Sequence, residues 1–171
     1  ITSAFTYFAT IEAIYNIGAK PFLVDICKKT LQMDMDKINK EVLKSAKFIV
    51  PVHLFGGLVN IDKLMFFKKN YKLKIIEDVA QSFGTKYKNK LIGTFGECGA
   101  FSFYPTKTMG AIGDAGAIVT NNSSIYEDLL KLRNHGHIDR DNFKFAGFNS
   151  RLDEIQAIFL EKRLKTIDSE I

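Results

Sequence analysis

The sequence predicts an α/β domain, a mainly parallel sheet flanked by helices. Short β-prone apolar runs alternate with stretches of helical periodicity, and strand-then-helix order is what a parallel sheet with crossover helices produces. The runs are apolar on both faces, as a sheet covered on both sides requires. With 171 residues, 46% of them hydrophobic and 25% charged, the chain can bury one core and fits one globular domain.

The elements follow in order. Residues 1–6 read as the tail of a strand, and residues 7–17 as a helix. Strands are predicted over 21–26, 48–52, 73–76, 100–104 and 117–120, with helices over 36–43, 61–69 and 124–133 between them. Hairpin-like spacing between Tyr104 and Ala117 permits one antiparallel member. Gly18, Gly56, Gly57, Gly84, Gly93, Gly96 and Gly110 fall between elements and read as turns. A last helix is predicted over 151–171, with Leu152, Ile155, Ile158, Phe159, Leu164 and Ile167 as its apolar positions. It stops without a terminator, and Ile1 is no initiator methionine, so a piece of a longer polypeptide is expected.

Composition excludes several functions. The formal charge of +5 comes from 24 Lys and Arg against 19 Asp and Glu, yet the lysines are scattered, so no nucleic acid partner is expected. Cys27 and Cys98 show no metal or CxxC spacing and read as reduced thiols. No run approaches the roughly 18 apolar residues of a membrane span, and no leader opens the chain, so a soluble cytoplasmic protein is expected, with no membrane partner.

Ligands of open α/β sheets gather at the carboxyl ends of the strands, where this sequence places His53, Asp78 and Gln81. Asp78 ends an apolar run beside Glu77; the alternative for it is a carboxylate capping the next turn. Lys107 lies past the run 99–104 and before Gly110, and reads either as an exposed loop lysine or as a reactive amine. Ser102, five residues earlier, is either a satisfied core hydroxyl or a phosphate ligand. A lysine past a buried strand, a hydroxyl before it and an acid ending another strand are what pyridoxal phosphate needs, the lysine forming a Schiff base and the acid pairing with the pyridinium nitrogen. Gly110, Gly113 and Gly116 form GxxGxxG rather than a dinucleotide fingerprint, and read as flexible backbone that lets Lys107 approach a cofactor. Tyr7 is either core or a ring that stacks on a planar ligand.

Seven stretches in order carry a resemblance: 5–10, 18–21, 51–56, 76–84, 101–107, 132–136 and 149–157. Together they resemble the DegT/DnrJ/StrS family of pyridoxal phosphate-dependent nucleotide-sugar aminotransferases. The resemblance implies the large domain of the aspartate aminotransferase fold (fold type I), incomplete here, so that residues 1–171 form part of a cofactor-binding domain without its N-terminal segment and C-terminal small domain. It implies that Lys107 carries the cofactor, that Asp78 holds the pyridine nitrogen and that Gln81 lies near the phenolic oxygen. Ser102 becomes a phosphate ligand, Tyr7 the stacking aromatic, and Asn149 a residue that reaches the phosphate of a neighbouring subunit in a homodimer with a shared active site. His53, His135 and Arg151 are assigned to structure or the site periphery. The implied reaction moves an amino group, from glutamate as donor, to a nucleotide-linked keto sugar in cell-surface, polysaccharide or antibiotic sugar biosynthesis. The alternatives are a sugar dehydratase of the same family, in which histidine is expected at position 107, and a non-catalytic regulatory protein of the same fold.

Overall fold

The computed structural model describes residues 1–169. Strand β1 (Thr2–Ser3) leads into helix α1 (Phe8–Asn16), and β2 (Leu23–Val24) follows. A 3-10 turn at Met35–Lys37 precedes α2 (Lys40–Ser45), β3 (Phe48–Ile49), a second such turn at Leu54–Gly56, α3 (Ile61–Tyr71) and β4 (Lys74–Asp78). A small hairpin, β5 (Lys86–Tyr87) and β6 (Lys90–Leu91), comes before β7 (Cys98–Ser102), β8 (Gly116–Val119), α4 (Ser123–Leu132) and α5 (Glu154–Leu164).

The main sheet runs β3-β4-β7-β8, parallel except for β7 against β8. Parallel β1 and β2 join its edge through the bridge between Thr2 and Val50, so a mainly parallel sheet with one antiparallel member is what forms. The antiparallel strand follows a connection of thirteen residues, 103–115, that forms no crossover helix and returns the chain beside β7.

The core sits between the β3–β4 region and helices α2 and α3. Ile49, Leu64, Leu73 and Ile75 are fully or almost fully buried there, packed with Val59, Ile61 and Phe67. Helix α3 turns this face inward because Ile61, Leu64 and Phe67 recur at helical spacing, and Asn60 caps it by accepting from the Lys63 N–H. A smaller cluster of Met109, Ala111, Leu160 and Ile167 binds α5 to the segment after Lys107.

The remaining helices depart from expectation. No residue of α1 or α4 is buried, and all four residues of β8 are exposed, so among the described residues this part of the sheet is uncovered. The helix predicted over 36–43 is divided, since Asn39 accepts from the Val42 N–H and starts α2 only at Lys40. The helix predicted over 151–171 begins at Glu154 after the extended Asp153, ends at Leu164, and is followed by a separate 3-10 turn at Ile167–Ser169. Residues 170 and 171 lie outside the described residues.

Candidate active site

Adjacent side chains on a strand point to opposite faces, and β4 uses both. Glu77 faces one side and is completely buried, accepting hydrogen bonds from the backbone N–H groups of Gly93, Phe95 and Gly96 at 2.9, 2.7 and 2.8 Å. His53 Nε2, also buried, lies 3.4 Å from its Oε2. At that separation the imidazole contact is long, and the three backbone donors are the firmer hold. Burial pushes the Glu77 carboxyl up, but His53 and the N–H groups of Gly93 and Gly96 outweigh it, and the group is held below the usual carboxylate range. Glu77 is therefore a structural anchor and no partner of Asp78 in chemistry.

Asp78 opens to the other face. Its Oδ2 accepts from Thr10 Oγ1 of α1 at 2.7 Å, and its Oδ1 from the Ala80 N–H at 3.1 Å. The Ala80 bond is the turn-capping role foreseen as the alternative for Asp78; the Thr10 bond and the half-buried position at the strand mouth go beyond it. The strand end is fixed by its neighbours: the Asp78 N–H donates to Pro51 O, and the His53 N–H donates to Asp78 O.

Asp78 is in register with Ala100 of β7, and Ser102 lies two residues further along on the same face. Sheet spacing alone puts the Cα atoms of Asp78 and Ser102 about 8 Å apart. Ser102 Oγ accepts from the Tyr104 N–H at 3.3 Å, which leaves its hydroxyl proton free to donate outward.

Lys107 follows in a tight loop. Its N–H donates to Tyr104 O at 2.8 Å, and the Ala111 N–H returns to Phe103 O at 2.7 Å, closing the segment around it. The side chain is half-buried, and among the described residues no hydrogen bond or ion pair engages its amine. The small residues here serve close packing rather than freedom: a Cβ on Gly110 would stand 2.3 Å from Pro105 O, and one on Gly116 2.7 Å from Phe101 O. Helix α5 pins the same loop, since Gln156 Oε1 accepts from the Ile112 N–H at 3.1 Å and Arg163 Nη2 donates to Thr108 O at 3.2 Å.

Gln81 also lies near the strand ends. Its Oε1 accepts from the N–H of Phe55 at 2.9 Å, holding that residue in a left-handed conformation at φ 55°. The Nε2 group of the amide is thereby the end turned to any ligand. Tyr7 is the N-cap residue of α1, three positions before Thr10, and is 76% exposed, so it is not core. Asn149 stands apart: it is exposed, bridges antiparallel to Asn134 and accepts from Arg151 Nε at 3.2 Å. Among the described residues no hydrogen bond links it to Asp78, Ser102 or Lys107.

Thr6, Thr10 and Gln156 were not singled out from the sequence. A threonine before or within a helix and a glutamine on a helix carry no chemical signal until the fold names their partners. Among the described residues no cluster could hold a metal ion, and no helix is long and apolar enough to cross a membrane.

The model of the DegT/DnrJ/EryC1/StrS aminotransferase family matches residues 1–171. The chain belongs to this family. It is 40% identical over 168 residues to a pleiotropic regulatory protein of Geobacillus stearothermophilus, covering 98% of this chain and 45% of that protein. It is 39% identical over 176 residues to dTDP-3-amino-3,4,6-trideoxy-alpha-D-glucose transaminase of Micromonospora megalomicea subsp. nigra, covering 100% of this chain and 46% of the relative. The structure of NtdA from Bacillus subtilis with bound cofactor PMP superposes with a TM-score of 0.86 at 33% identity, covering 97% of this chain and 38% of that one. The chain thus spans about half the length of the curated relatives it matches. The α/β sheet has the fold of the type I aminotransferases that it matches, as the resemblance implies.

Proposed function

We propose that these residues form part of the large, cofactor-binding domain of a pyridoxal phosphate-dependent aminotransferase that acts on a nucleotide-linked keto sugar. The observation that supports it most is the half-buried amine of Lys107, without a partner among the described residues, set beyond β7 in a closed loop, with Ser102 and Asp78 on one face of neighbouring strands.

The donor set fits the cofactor. A primary amine serves the aldehyde, an anion the ring nitrogen, an amide N–H the phenolic oxygen and a hydroxyl proton the phosphate. Lys107 would be the covalent attachment point and, as a free amine, the group placed to take up and return a proton. Asp78 would hold the ring nitrogen, Gln81 would offer its Nε2 group to the phenolic oxygen, Ser102 would donate to phosphate, and Tyr7 would offer its exposed ring to the heterocycle. When bound, the cofactor supplies the electron sink that makes transamination possible. Asn149, exposed and without a hydrogen bond to these groups among the described residues, would reach the phosphate of a second subunit; with the family resemblance, this supports a homodimer as the working unit, with glutamate as amino donor and the cytoplasm as its compartment.

Lysine at position 107 favours transamination over the dehydratase reading, for which histidine is expected. The relative called a pleiotropic regulatory protein favours a second reading, a non-catalytic protein of the same fold. The full-length gene product mixed with pyridoxal phosphate should show a cofactor absorbance band that glutamate bleaches and a nucleotide keto sugar restores. A Lys107→Ala protein should show neither. No band in the unaltered protein would favour the regulatory reading, and a band that persists in Lys107→Ala would remove the lysine from its role.

A further inference from the structure

Among the described residues the Asp78 carboxylate receives one hydrogen bond from outside its own strand and turn, and the donor is a threonine. Thr10 Oγ1 gives its single proton to Asp78 Oδ2 at 2.7 Å. Thr6 Oγ1 lies 2.8 Å from Thr10 Oγ1. Because the Thr10 proton is already committed to the carboxylate, Thr6 must donate to Thr10. The two hydroxyls therefore point in series toward Asp78, and each polarises the next.

The placement of this pair is unusual for α1. The apolar Phe8 and Tyr15 of that helix are 63% and 59% exposed, whereas Thr10 is turned toward the sheet and half-buried. Contact between the helix and the acid is thus made by hydroxyls and not by hydrophobic burial. With Thr10 on Oδ2 and the Ala80 N–H on Oδ1, both carboxylate oxygens are held and the carboxylate plane cannot rotate without breaking a bond. Each oxygen keeps a second lone pair for a ligand. Tyr7, one turn before Thr10, is fixed by the same helix, so ring-stacking surface and anion are presented as one unit.

We propose that Thr6 and Thr10 form a two-hydroxyl relay that positions the Asp78 carboxylate against the protonated heteroaromatic nitrogen of its ligand. The relay rests on the assignment of Asp78 made above, and both threonines are positioning residues because neither needs to touch the cofactor.

Full-length Thr10→Val, which keeps the shape and removes the donor, should bind pyridoxal phosphate about tenfold more weakly, the scale of one hydrogen bond to a charged group. It should also raise the pH midpoint at which the lysine-bound cofactor band titrates, because a less firmly held anion leaves the ring less electron-withdrawing. Thr10→Ser should restore both values, and Thr6→Val should shift both in the same direction by a smaller amount. A merely structural threonine would leave the midpoint unmoved. If Thr10→Val binds and titrates like the unaltered protein while Asp78→Ala loses the band, the relay is wrong and the Asp78 assignment stands. If Asp78→Ala also behaves like the unaltered protein, the assignment itself fails and the relay falls with it.

Discussion

Replacing Glu77 with alanine should destabilise the fold by about 3–5 kcal/mol, the range for breaking a buried charged network by removing one partner. The magnitude follows from what is orphaned. Three backbone N–H groups, of Gly93, Phe95 and Gly96, lose their acceptor, and each buried unsatisfied donor costs about 1–3 kcal/mol. Part is returned, since a carboxylate need no longer be kept out of water. Set against a total stability of about 5–15 kcal/mol, the loss is large. Glu77→Gln keeps an acceptor but turns an NH2 group toward one of the donors, so it should cost about 1–3 kcal/mol. Urea unfolding with a shared m-value reads both. The pH dependence has a definite sign. The folded-state Glu77 carboxyl titrates below its ordinary value, so its stabilisation is present above that ordinary value and disappears as pH falls through the lower one. Unaltered protein should therefore lose stability on the acid side more steeply than Glu77→Gln. An alanine variant within about 1 kcal/mol of the unaltered protein would show that other groups hold residues 93–96.

Other outcomes follow from the loop that carries Lys107. Gly110→Ala should cost about 1–3 kcal/mol and abolish the cofactor band, because its Cβ would overlap Pro105 O at 2.3 Å; thermal melting and absorbance read the two effects. Gln156→Leu leaves the Ile112 N–H without its acceptor and should weaken pyridoxal phosphate binding with a stability loss of only about 1 kcal/mol, measured by titration and urea melts. In thiol labelling Cys27 should react before Cys98. Backbone N–H groups of Thr30 and Lys29 draw the Cys27 thiol down, whereas burial pushes the Cys98 thiol up, and mass spectrometry over time gives the order.

The residues that were legible in the sequence share a property: their chemistry is announced by type and by position at a strand end. Asp78 and Lys107 needed only the apolar runs before them to be placed at the mouth of the sheet. Ser102 was legible through its spacing from Lys107. The role of Glu77 was not legible: the sequence puts it beside Asp78, while the pleat sends it to the opposite face, toward donors 16 to 19 residues away. Thr10 was invisible because its partner is 68 residues away, a contact that only the sheet and α1 together create. Helix α1 has the apolar composition of a core helix, yet none of its residues is fully buried among those described, which periodicity alone cannot reveal. The β5–β6 hairpin escaped because its strands are two residues long, with Lys88 and Asn89 both in the left-handed region of the turn.

Borohydride reduction of the full-length protein loaded with pyridoxal phosphate, followed by peptide mapping, tests the central claim most directly, since reduction makes the lysine–cofactor bond permanent. The expected result is one pyridoxyl group, on the peptide containing Lys107. A label spread over surface lysines, or confined to a different one, would contradict the assignment of this site.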